Sequence, residues 1–308
     1  MKEIKVLAPA TIANLVCGFD ILGMALKAPY DEMTLSLTEE PGIVIKHTDQ
    51  FGLPEEPEKN VSGAALLALM EEYKKPVGFH LTIHKHIKPG SGLGSSAASS
   101  AGAVVAANHL LGNIFSREDL VRFAMNGEKI AGGVKHADNV SPCIFGGVTL
   151  IRSIFPLDII PLNAPDLFIT IVHPQIEVRT SDARQILRKE VQLKSAIKQW
   201  GNIGGLIMGF MKNDFDLIGR SMEDVIIEPV RSILIPGFDE VKAKCREAGS
   251  IGGGISGSGP SIFMLSREET TAVKVENIMK SVYQTIGVDY KTYVTSISTE
   301  GVKIVEEP

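Results

Sequence analysis

A glycine-rich loop between a strand and a helix is the feature that most constrains this chain of 308 residues. Residues 79–87 (FHLTIHKHI) alternate between two faces, with Phe79, Lys85 and Ile87 on one of them, which is the period of a half-buried strand. The loop KPGSGLGSS follows, and the small residues 97–112 then predict a helix. Glycines let backbone N–H groups point into one concavity, and the positive end of a helix attracts anions. This order therefore predicts a phosphate site, although a tight turn with a serine cap also fits it.

Two serines at the start of this helix extend the chemistry of the loop. The hydroxyl groups of Ser95 and Ser96 can donate to phosphate oxygens, and either oxygen can ligate Mg²⁺. The pattern GxxxxGK(S/T) is absent, so this is not a Walker A loop.

A second glycine cluster satisfies a dinucleotide pattern but in the wrong context. Gly252, Gly254 and Gly257 fit GxGxxG, which needs a strand before it and a helix after it. Here a predicted helix precedes it and a predicted strand follows it. The segment is either a flexible connector or a loop that contacts a ligand, and its interleaved serines favour the second interpretation.

The order of the predicted elements favours an α+β protein with two lobes over a doubly wound sheet. Strands are predicted mainly in the first half, at 3–8, 33–38, 42–47, 79–87, 143–151 and 167–172. Helices at 180–191, 193–211, 215–224 and 238–249 follow, then a turn, a strand, a helix at 268–285 and a hairpin-like pair of strands, 290–298 and 301–306. The change of texture near Pro161–Pro165 predicts lobes at 1–163 and 164–308.

Composition excludes several classes of protein. A net charge of −5 and an aromatic content of 6% argue against a nucleic-acid partner. No apolar run is long enough for a membrane span. The three cysteines are far apart, which argues against a disulfide framework and fits the cytoplasm.

Polar residues that stand among apolar or small neighbours are candidates for a site. Asn14 and Asp20 do so in ATIANLVCGFD, and Glu128 does so in a glycine-flanked segment. His136 and Asp138 form a polar cluster in KHADNVSP. Each residue taken alone is also explained as a helix cap or a turn residue.

Two arginines in the second half are suited to bind a carboxylate or a phosphate. Arg184 lies about one turn into the helix predicted from RTSDAR, and Arg231 stands in EPVR. The planar guanidinium group binds such anions through two parallel hydrogen bonds.

These motifs resemble those of a known superfamily. Pro89–Ala98 is similar to the phosphate loop of the GHMP small-molecule kinases, and Gly252–Pro260 is similar to their third motif. Within that superfamily, ATIANLVCGFDILGMAL, KHADNVSPCIFGG, RTSDAR and EPVR resemble motifs of the homoserine kinase family. The resemblance runs from about residue 4 to residue 300.

The resemblance implies a fold and an activity. The first lobe would resemble the second domain of ribosomal protein S5 and bind ATP, and the second lobe would be ferredoxin-like. The activity would be ATP-dependent phosphorylation of the side-chain hydroxyl of L-homoserine, in threonine biosynthesis. Mg²⁺ dependence and a homodimer are also implied.

The resemblance further assigns roles to individual residues. It implies that Asn14, Asp20, His136, Asp138, Arg184, Arg231 and Gly257 bind the amino acid. It implies that Asn60, Val61, Pro89, Gly90, Ser91, Gly92, Leu93, Gly94, Ser95, Ser96 and Ala97 contact the nucleotide. Ser96 and Glu128 would ligate Mg²⁺, and Asp138, Asn139 and Asn14 would orient the hydroxyl group.

The chain departs at a few positions from the motifs that it resembles. Relatives usually carry a hydroxyl residue in place of Ile12 and glycine in place of Val16, and Cys17 falls in the same loop. Asn139 replaces the aspartate base of many GHMP kinases, a feature that homoserine kinases share. Two alternatives stay open: a kinase of another small alcohol such as mevalonate, and a non-catalytic sensor.

Overall fold

The computed structural model describes residues 3–178 and 180–305. Arg179, which opens the RTSDAR motif, and residue 306 of the last predicted strand lie outside the described residues. The strands are β1 Glu3–Ala13, β2 Leu22–Thr38, β3 Gly42–His47, β4 Gly78–His84, β5 Val148–Ile154, β6 Leu157–Leu162, β7 Phe168–Pro174, β8 Gly252–Ile255, β9 Ile262–Ser266, β10 Tyr290–Ser296 and β11 Lys303–Val305. The helices are α1 Val61–Tyr73, α2 Ser95–Leu110, α3 Arg117–Gly132, α4 Val140–Phe145, α5 Thr180–Gln185, α6 Leu193–Lys212, α7 Phe215–Ser221, α8 Glu228–Arg231, α9 Phe238–Glu247 and α10 Glu269–Ile286.

The larger sheet forms the first half of the molecule. Its strand order is β11-β1-β2-β4-β3, and β5 and β6 extend it from β2. The pairs are antiparallel except β3 with β4, which are parallel. Helix α2 packs across β1 and β2, so the small residues of α2 allow close contact with the sheet. Phe79, Met33 and Phe123 are among the large side chains that fill the core.

The smaller sheet has the topology of a ferredoxin-like lobe. Its strand order is β10-β7-β9-β8, all antiparallel. Along the chain, helices separate β7 from β8, and α10 separates β9 from β10. This is the βαββαβ arrangement. The predicted α+β class with a ferredoxin-like second lobe is therefore confirmed.

The predicted hairpin at the end of the chain is wrong. β10 pairs with β7 in the smaller sheet, whereas β11 pairs with β1 in the larger one, with Lys5 opposite Val305. Alternation of apolar and polar residues predicts a strand but not its partner. The chain thus leaves the smaller sheet after residue 296 and returns to the first half.

Several other predicted elements differ from the observed ones: the strand predicted for 79–87 ends at His84, the helix predicted for 215–224 ends at Ser221, and three further segments differ more clearly. Residues 143–145 belong to α4 rather than to a strand, since α4 continues to Phe145 and ends at Gly146. The helix predicted for 180–191 ends at Gln185. Gly252–Ile255 is the buried strand β8 rather than a loop, and a Cβ on Gly253 would overlap the Phe263 carbonyl oxygen, so these glycines permit close strand packing.

The two sheets change over between β6, which ends at Leu162, and β7, which begins at Phe168. The boundary at 163 and 164 itself stays a prediction, since β11 lies in the larger sheet. Within the described ranges, no helix combines the length and the apolar character that a bilayer crossing requires.

Candidate active site

A cavity of about 450 Å³ is lined by residues of both halves of the chain. Most of the residues that the sequence assigned to a site line it: Asn14, Asp20, Val61, Pro89, Gly90, Ser91, Gly92, Gly94, Ser95, Ser96, Glu128, His136, Asp138, Asn139, Arg184, Arg231 and Gly257. Asn60, Leu93 and Ala97 are not among the lining residues. Leu93, within the loop, and Ala97, in α2, are buried.

The glycine loop leaves the start of α2 open towards the cavity. Gly90, Gly92 and Gly94 have φ angles of 74°, 77° and 68°, a conformation that favours glycine. Gly94 is the N-cap of α2, and no side chain caps this end of the helix. A Cβ on Gly94 would overlap the Thr11 hydroxyl. The unpaired N–H groups and partial positive charge of α2 are therefore available to an anion.

A buried ion pair supports the loop from beneath. Lys85 is 4% exposed, its Nζ pairs with the Asp31 carboxylate, and it donates to Ser95 O at 3.1 Å and Ser99 Oγ at 2.7 Å. The other Asp31 oxygen accepts from the backbone N–H groups of His86 and Ile87. Sequence analysis did not assign Lys85 to the site, although a lysine on the apolar face of a strand was a signal for it.

The segment 256–261 packs directly on the glycine loop. Ser256 Oγ donates to Gly92 O at 2.7 Å, and Ser261 Oγ donates to Ser91 O at 2.6 Å. Gly257 and Ser258 line the cavity. The second glycine cluster thus combines a buried strand, a brace for the first loop and part of the cavity wall.

The loop after β1 is held in a strained conformation. Asn14, Leu15 and Val16 have φ angles of 72°, 42° and 68°. Each such non-glycine residue costs roughly 1 kcal/mol or more, and strain of this kind concentrates at functional sites. Asn14 Nδ2 donates to Gly257 O at 2.8 Å, and Asn14 Oδ1 accepts from Asp20 N at 3.0 Å. The Asn14 amide therefore ties this loop to the opposite wall.

Charged groups meet around one aromatic ring. Arg184 Nη2 donates to Asp20 Oδ1 and Oδ2 at 2.7 and 3.0 Å. It also lies 3.3 Å from His136 Nδ1. The guanidinium groups of Arg184 and Arg231 lie 5.4 and 5.0 Å from the ring centroid of Phe19. Phe19 was missed by sequence analysis, and its place beside Asp20 was the available signal.

Arg231 donates hydrogen bonds to backbone carbonyl groups, whereas one donor of Arg184 has no partner. Arg231 is 3% exposed and donates to Ala183 O at 2.9 Å and Gly257 O at 3.2 Å. Burial and the charge of Arg184 lower the pKa of Arg231 to about 10, so it stays cationic at neutral pH. The Nε atom of Arg184 is buried without a hydrogen-bond partner. This unused donor leaves Arg184 able to bind an anionic group.

Glu128 fits a magnesium site. Burial raises the pKa of its carboxyl group to about 7, and the neighbouring Ser96 hydroxyl offsets part of the rise. Glu128 Oε1 is buried without a hydrogen-bond partner. Mg²⁺ prefers oxygen ligands and usually takes one or two from protein and others from phosphates and water. The described residues contain no group of three or more His, Cys, Asp or Glu side chains that could hold a metal.

Asp138 is a second buried carboxyl group in the cavity. Burial, followed by the negative charges of Asp20 and Glu128, raises its pKa to about 7. Asp138 Oδ1 accepts from the backbone N–H of Asn139 at 3.1 Å. Asn139 Oδ1 accepts from Thr11 Oγ1 at 2.7 Å, so Thr11, which sequence analysis missed, orients this amide.

Asn60 has a structural task at the edge of the site. Its side chain caps α1 by accepting from Ser62 N at 2.8 Å, and it donates to Pro54 O at 2.6 Å. The next residue, Val61, lines the cavity together with Leu53. A role for Asn60 beside adenine stays a prediction.

Comparison with known proteins identifies the family. Residues 60–147 match the model of the GHMP kinases N terminal domain, and residues 206–285 match that of the GHMP kinases C terminal domain. A homoserine kinase of Chloroherpeton thalassium is 42% identical over 99% of this chain and 100% of that protein. One from Methanococcus vannielii is 42% identical over 92% of this chain and 94% of that protein. The chain belongs to the homoserine kinase family of the GHMP kinases.

A solved structure agrees with this assignment. The crystal structure of homoserine kinase from Cytophaga hutchinsonii superimposes with a TM-score of 0.95 at 47% identity, covering 99% of this chain and 98% of that one. Val16, where the resemblance implied glycine, adopts a left-handed conformation that a β-branched residue rarely accepts.

The raised pKa of Asp138 predicts a stability effect in this kinase. The pKa of the Asp138 carboxyl group is about 7 in the folded chain and 3.8 ordinarily. This group therefore lowers the free energy of unfolding increasingly from pH ~4 to pH ~7, and by a constant amount above that. We expect Asp138→Asn to stabilise the ligand-free protein, and to do so by about 2 kcal/mol more at pH 8 than at pH 5. Urea unfolding at both pH values measures this.

The matched control is Asp158→Asn, whose carboxylate pairs with Arg152 at the surface. It should not stabilise the protein at either pH. An Asp138→Asn variant that is no more stable than the unsubstituted protein at pH 8 would contradict the assigned pKa.

Proposed function

We propose that this chain transfers the γ-phosphoryl group of ATP to the side-chain hydroxyl of L-homoserine, giving O-phospho-L-homoserine and ADP for threonine biosynthesis. One observation carries the proposal: the uncapped start of α2 opens on the same cavity as Arg184, Arg231 and Asp138. An anion-binding end and an amino-acid-binding end thus share one space. Identity of 42% to proteins named homoserine kinases, over 99% and 92% of this chain, supports this substrate.

The proposed amino-acid end matches the charges of a zwitterion. Arg184 and Arg231 would bind the α-carboxylate, with Gly257 beside it. Asp20, with His136 and Asp138, would receive the α-amino group. Burial and the two arginines lower the pKa of His136, although Asp20 opposes them, so the ring is neutral at pH 7. Because Arg184 donates towards His136 Nδ1, the neutral ring carries its proton on Nε2 and adds no positive charge beside the ammonium group.

The proposed nucleotide end uses residues 89–97. Backbone N–H groups of this segment and the start of α2 would bind the phosphates, and Asn60 and Val61 would border the adenine. Ser96 and Glu128 would hold Mg²⁺, because Glu128 Oε1 lacks a partner and the Ser96 hydroxyl lies beside it. When bound, Mg²⁺ neutralises phosphate charge.

The proposed mechanism depends on positioning rather than on a strong base. Phosphoryl transfer passes through a loose transition state, so the hydroxyl need not be deprotonated early. Asp138 and Asn139 would orient the hydroxyl in line with the phosphate, with Asn14 holding the substrate loop in place. Thr11 fixes the Asn139 amide, and Asp138, with a pKa near 7, accepts a hydrogen bond from the hydroxyl when it is ionised.

A kinase of mevalonate-type alcohols accounts less well for this cavity. Such a substrate lacks the α-amino group that Asp20 and Asp138 would pair with. Buried polar groups left without partners discriminate strongly against a substrate. A non-catalytic sensor would not need Glu128 held buried with a free oxygen beside Ser96.

An assay of ADP release tests the proposed function. We expect turnover with L-homoserine at least a hundredfold faster, as kcat/KM, than with mevalonate or galactose, because mevalonate lacks the ammonium group and galactose lacks both charged groups. Detection of O-phosphohomoserine confirms the product. Faster turnover of either alternative alcohol, or ligand binding without any turnover, would refute the proposal.

Two substitutions separate metal binding from hydroxyl positioning. Glu128→Ala removes a proposed metal ligand and should lower kcat more than about a hundredfold. Asn139→Ala leaves Asp138 in place and should lower kcat only about tenfold. Steady-state kinetics at saturating ATP and Mg²⁺ measure both. Near-total loss of activity in Asn139→Ala alone would contradict the positioning mechanism.

We also propose that the kinase is a cytoplasmic homodimer. Its three cysteines are buried and free. The outer stripe of α6 consists of Leu193, Ile197, Trp200, Gly204, Met208 and Met211, with Leu193 67% and Trp200 61% exposed. These residues recur at helical spacing on one face, and such an apolar stripe is typical of an interface.

The outer stripe is self-complementary about residue 202. A two-fold axis there would place Leu193 against Met211 of the partner subunit and Trp200 against Gly204 of the partner subunit. A Cβ at Gly204 would meet open space, so a large aromatic ring could pack over this glycine. Isologous dimers need this reciprocal fit. Flanking surface would complete the roughly 800 Å² per subunit of a stable dimer.

Trp200→Asp tests the outer stripe. Since Trp200 is exposed, the variant should fold, yet it should be monomeric at concentrations at which the unsubstituted protein is a dimer. Light scattering after size-exclusion chromatography measures the mass. Val44→Asp, at an exposed site on β3, is the control and should stay dimeric. A dimeric Trp200→Asp variant would rule out this interface.

A further inference from the structure

The inner face of α6 carries a buried glutamine that contacts the loop after β1. Gln199 is 5% exposed and lies on the side of α6 opposite to the outer stripe. Its Nε2 donates to the backbone carbonyl of Cys17 at 2.8 Å. Cys17 belongs to the strained loop that also carries Asn14, Phe19 and Asp20. A hydrogen bond from a buried, helix-mounted amide therefore fixes the middle of this loop.

The same amide holds the segment that leads to Arg231. Gln199 Nε2 donates to Asp224 Oδ1 at 2.9 Å, and Gln199 Oε1 accepts from Val225 N at 3.1 Å. The Asp224 carboxylate in turn accepts from the backbone N–H groups of Ile226, Ile227 and Glu228, at 2.8 to 3.0 Å. Those residues lead into α8, which ends at Arg231.

Gln199 therefore binds both of the segments that form two walls of the cavity. One wall carries Asp20, and the other carries Arg231. The Gln199 carboxamide is bonded at both ends, as donor to Cys17 O and Asp224 and as acceptor from Val225 N. Leucine, methionine and glutamate at this position would each lose at least one of these bonds and leave buried polar groups unpaired.

We infer that Gln199 is a positioning residue that sets the distance between the Asp20 loop and Arg231, and thereby the length of amino acid that the cavity accepts. The inference rests on the proposed function, because Asp20 and Arg231 are the proposed partners of the α-amino group and the α-carboxylate of the substrate. Gln199 acts through Cys17, Asp224 and Val225 and does not line the cavity itself.

Steady-state kinetics of Gln199→Met test the inference. Methionine keeps the length and volume of glutamine but makes none of its hydrogen bonds. We expect the KM for L-homoserine to rise about tenfold and the KM for ATP to stay within about twofold, since the glycine loop has other supports. The preference for L-homoserine over L-serine and 5-hydroxynorvaline, which are one methylene shorter and longer, should fall by a similar factor.

The control is Asn202→Leu, one turn along the same helix. Its amide donates to Glu223 O at 2.7 Å from a more exposed position, and its loss should change neither KM. Gln199→Glu is the second variant: it keeps an acceptor for Val225 N but sets a carboxylate against Asp224, so it should raise the KM for homoserine at least as much. It decides the matter if Gln199→Met does not fold.

The outcomes separate this inference from the proposed function. Absence of homoserine turnover by the unsubstituted protein would refute the proposed function, and the KM ratio would then be measured with the alcohol that is phosphorylated. An unchanged substrate KM in both variants overturns the role of Gln199. So does an equal rise in the KM for substrate and for ATP, because that would indicate general loosening of the site.

Discussion

The first turn of α2 has no side-chain cap, so its N–H groups face the cavity. This arrangement depends on firm anchoring of the carbonyl groups of that turn and of the preceding loop. Lys85 supplies this anchor, since its ammonium group binds both the Asp31 carboxylate and the Ser95 carbonyl beneath the first turn. A buried charge of this kind is tolerated only when it is fully paired. The pair anchors the first turn of α2 beneath its uncapped end, which opens on the cavity.

The second half of the chain contributes to the site by bracing as much as by lining. Ser256 and Ser261 bind carbonyl groups of the glycine loop, while Gly257 accepts from Asn14 and Arg231. The two halves are therefore joined by hydrogen bonds at the cavity itself.

Several buried groups in the cavity are destabilising for the ligand-free protein. Glu128 and Asp138 are carboxyl groups with raised pKa values, and Asn14 to Val16 occupy left-handed backbone conformations. Strain and unpaired charge of this kind are typical of sites that gain partners on binding. These groups lie at or next to one cavity, which is where the proposed chemistry takes place.

Sequence alone determined the local features: the strand, glycine loop and helix at 79–110, the buried face that includes Lys85, and most of the residues that line the cavity. The first two follow from periodicity and glycine chemistry, whereas most of the cavity residues follow from the resemblance of short motifs to those of the GHMP kinases, and all of these are local signals. Only the tertiary structure decided that β11 joins β1 rather than β10, that Thr11 orients Asn139, and that Phe19 lies near both arginines. Such contacts join positions more than a hundred residues apart, and the energy of packing that selects them is not written in any one segment.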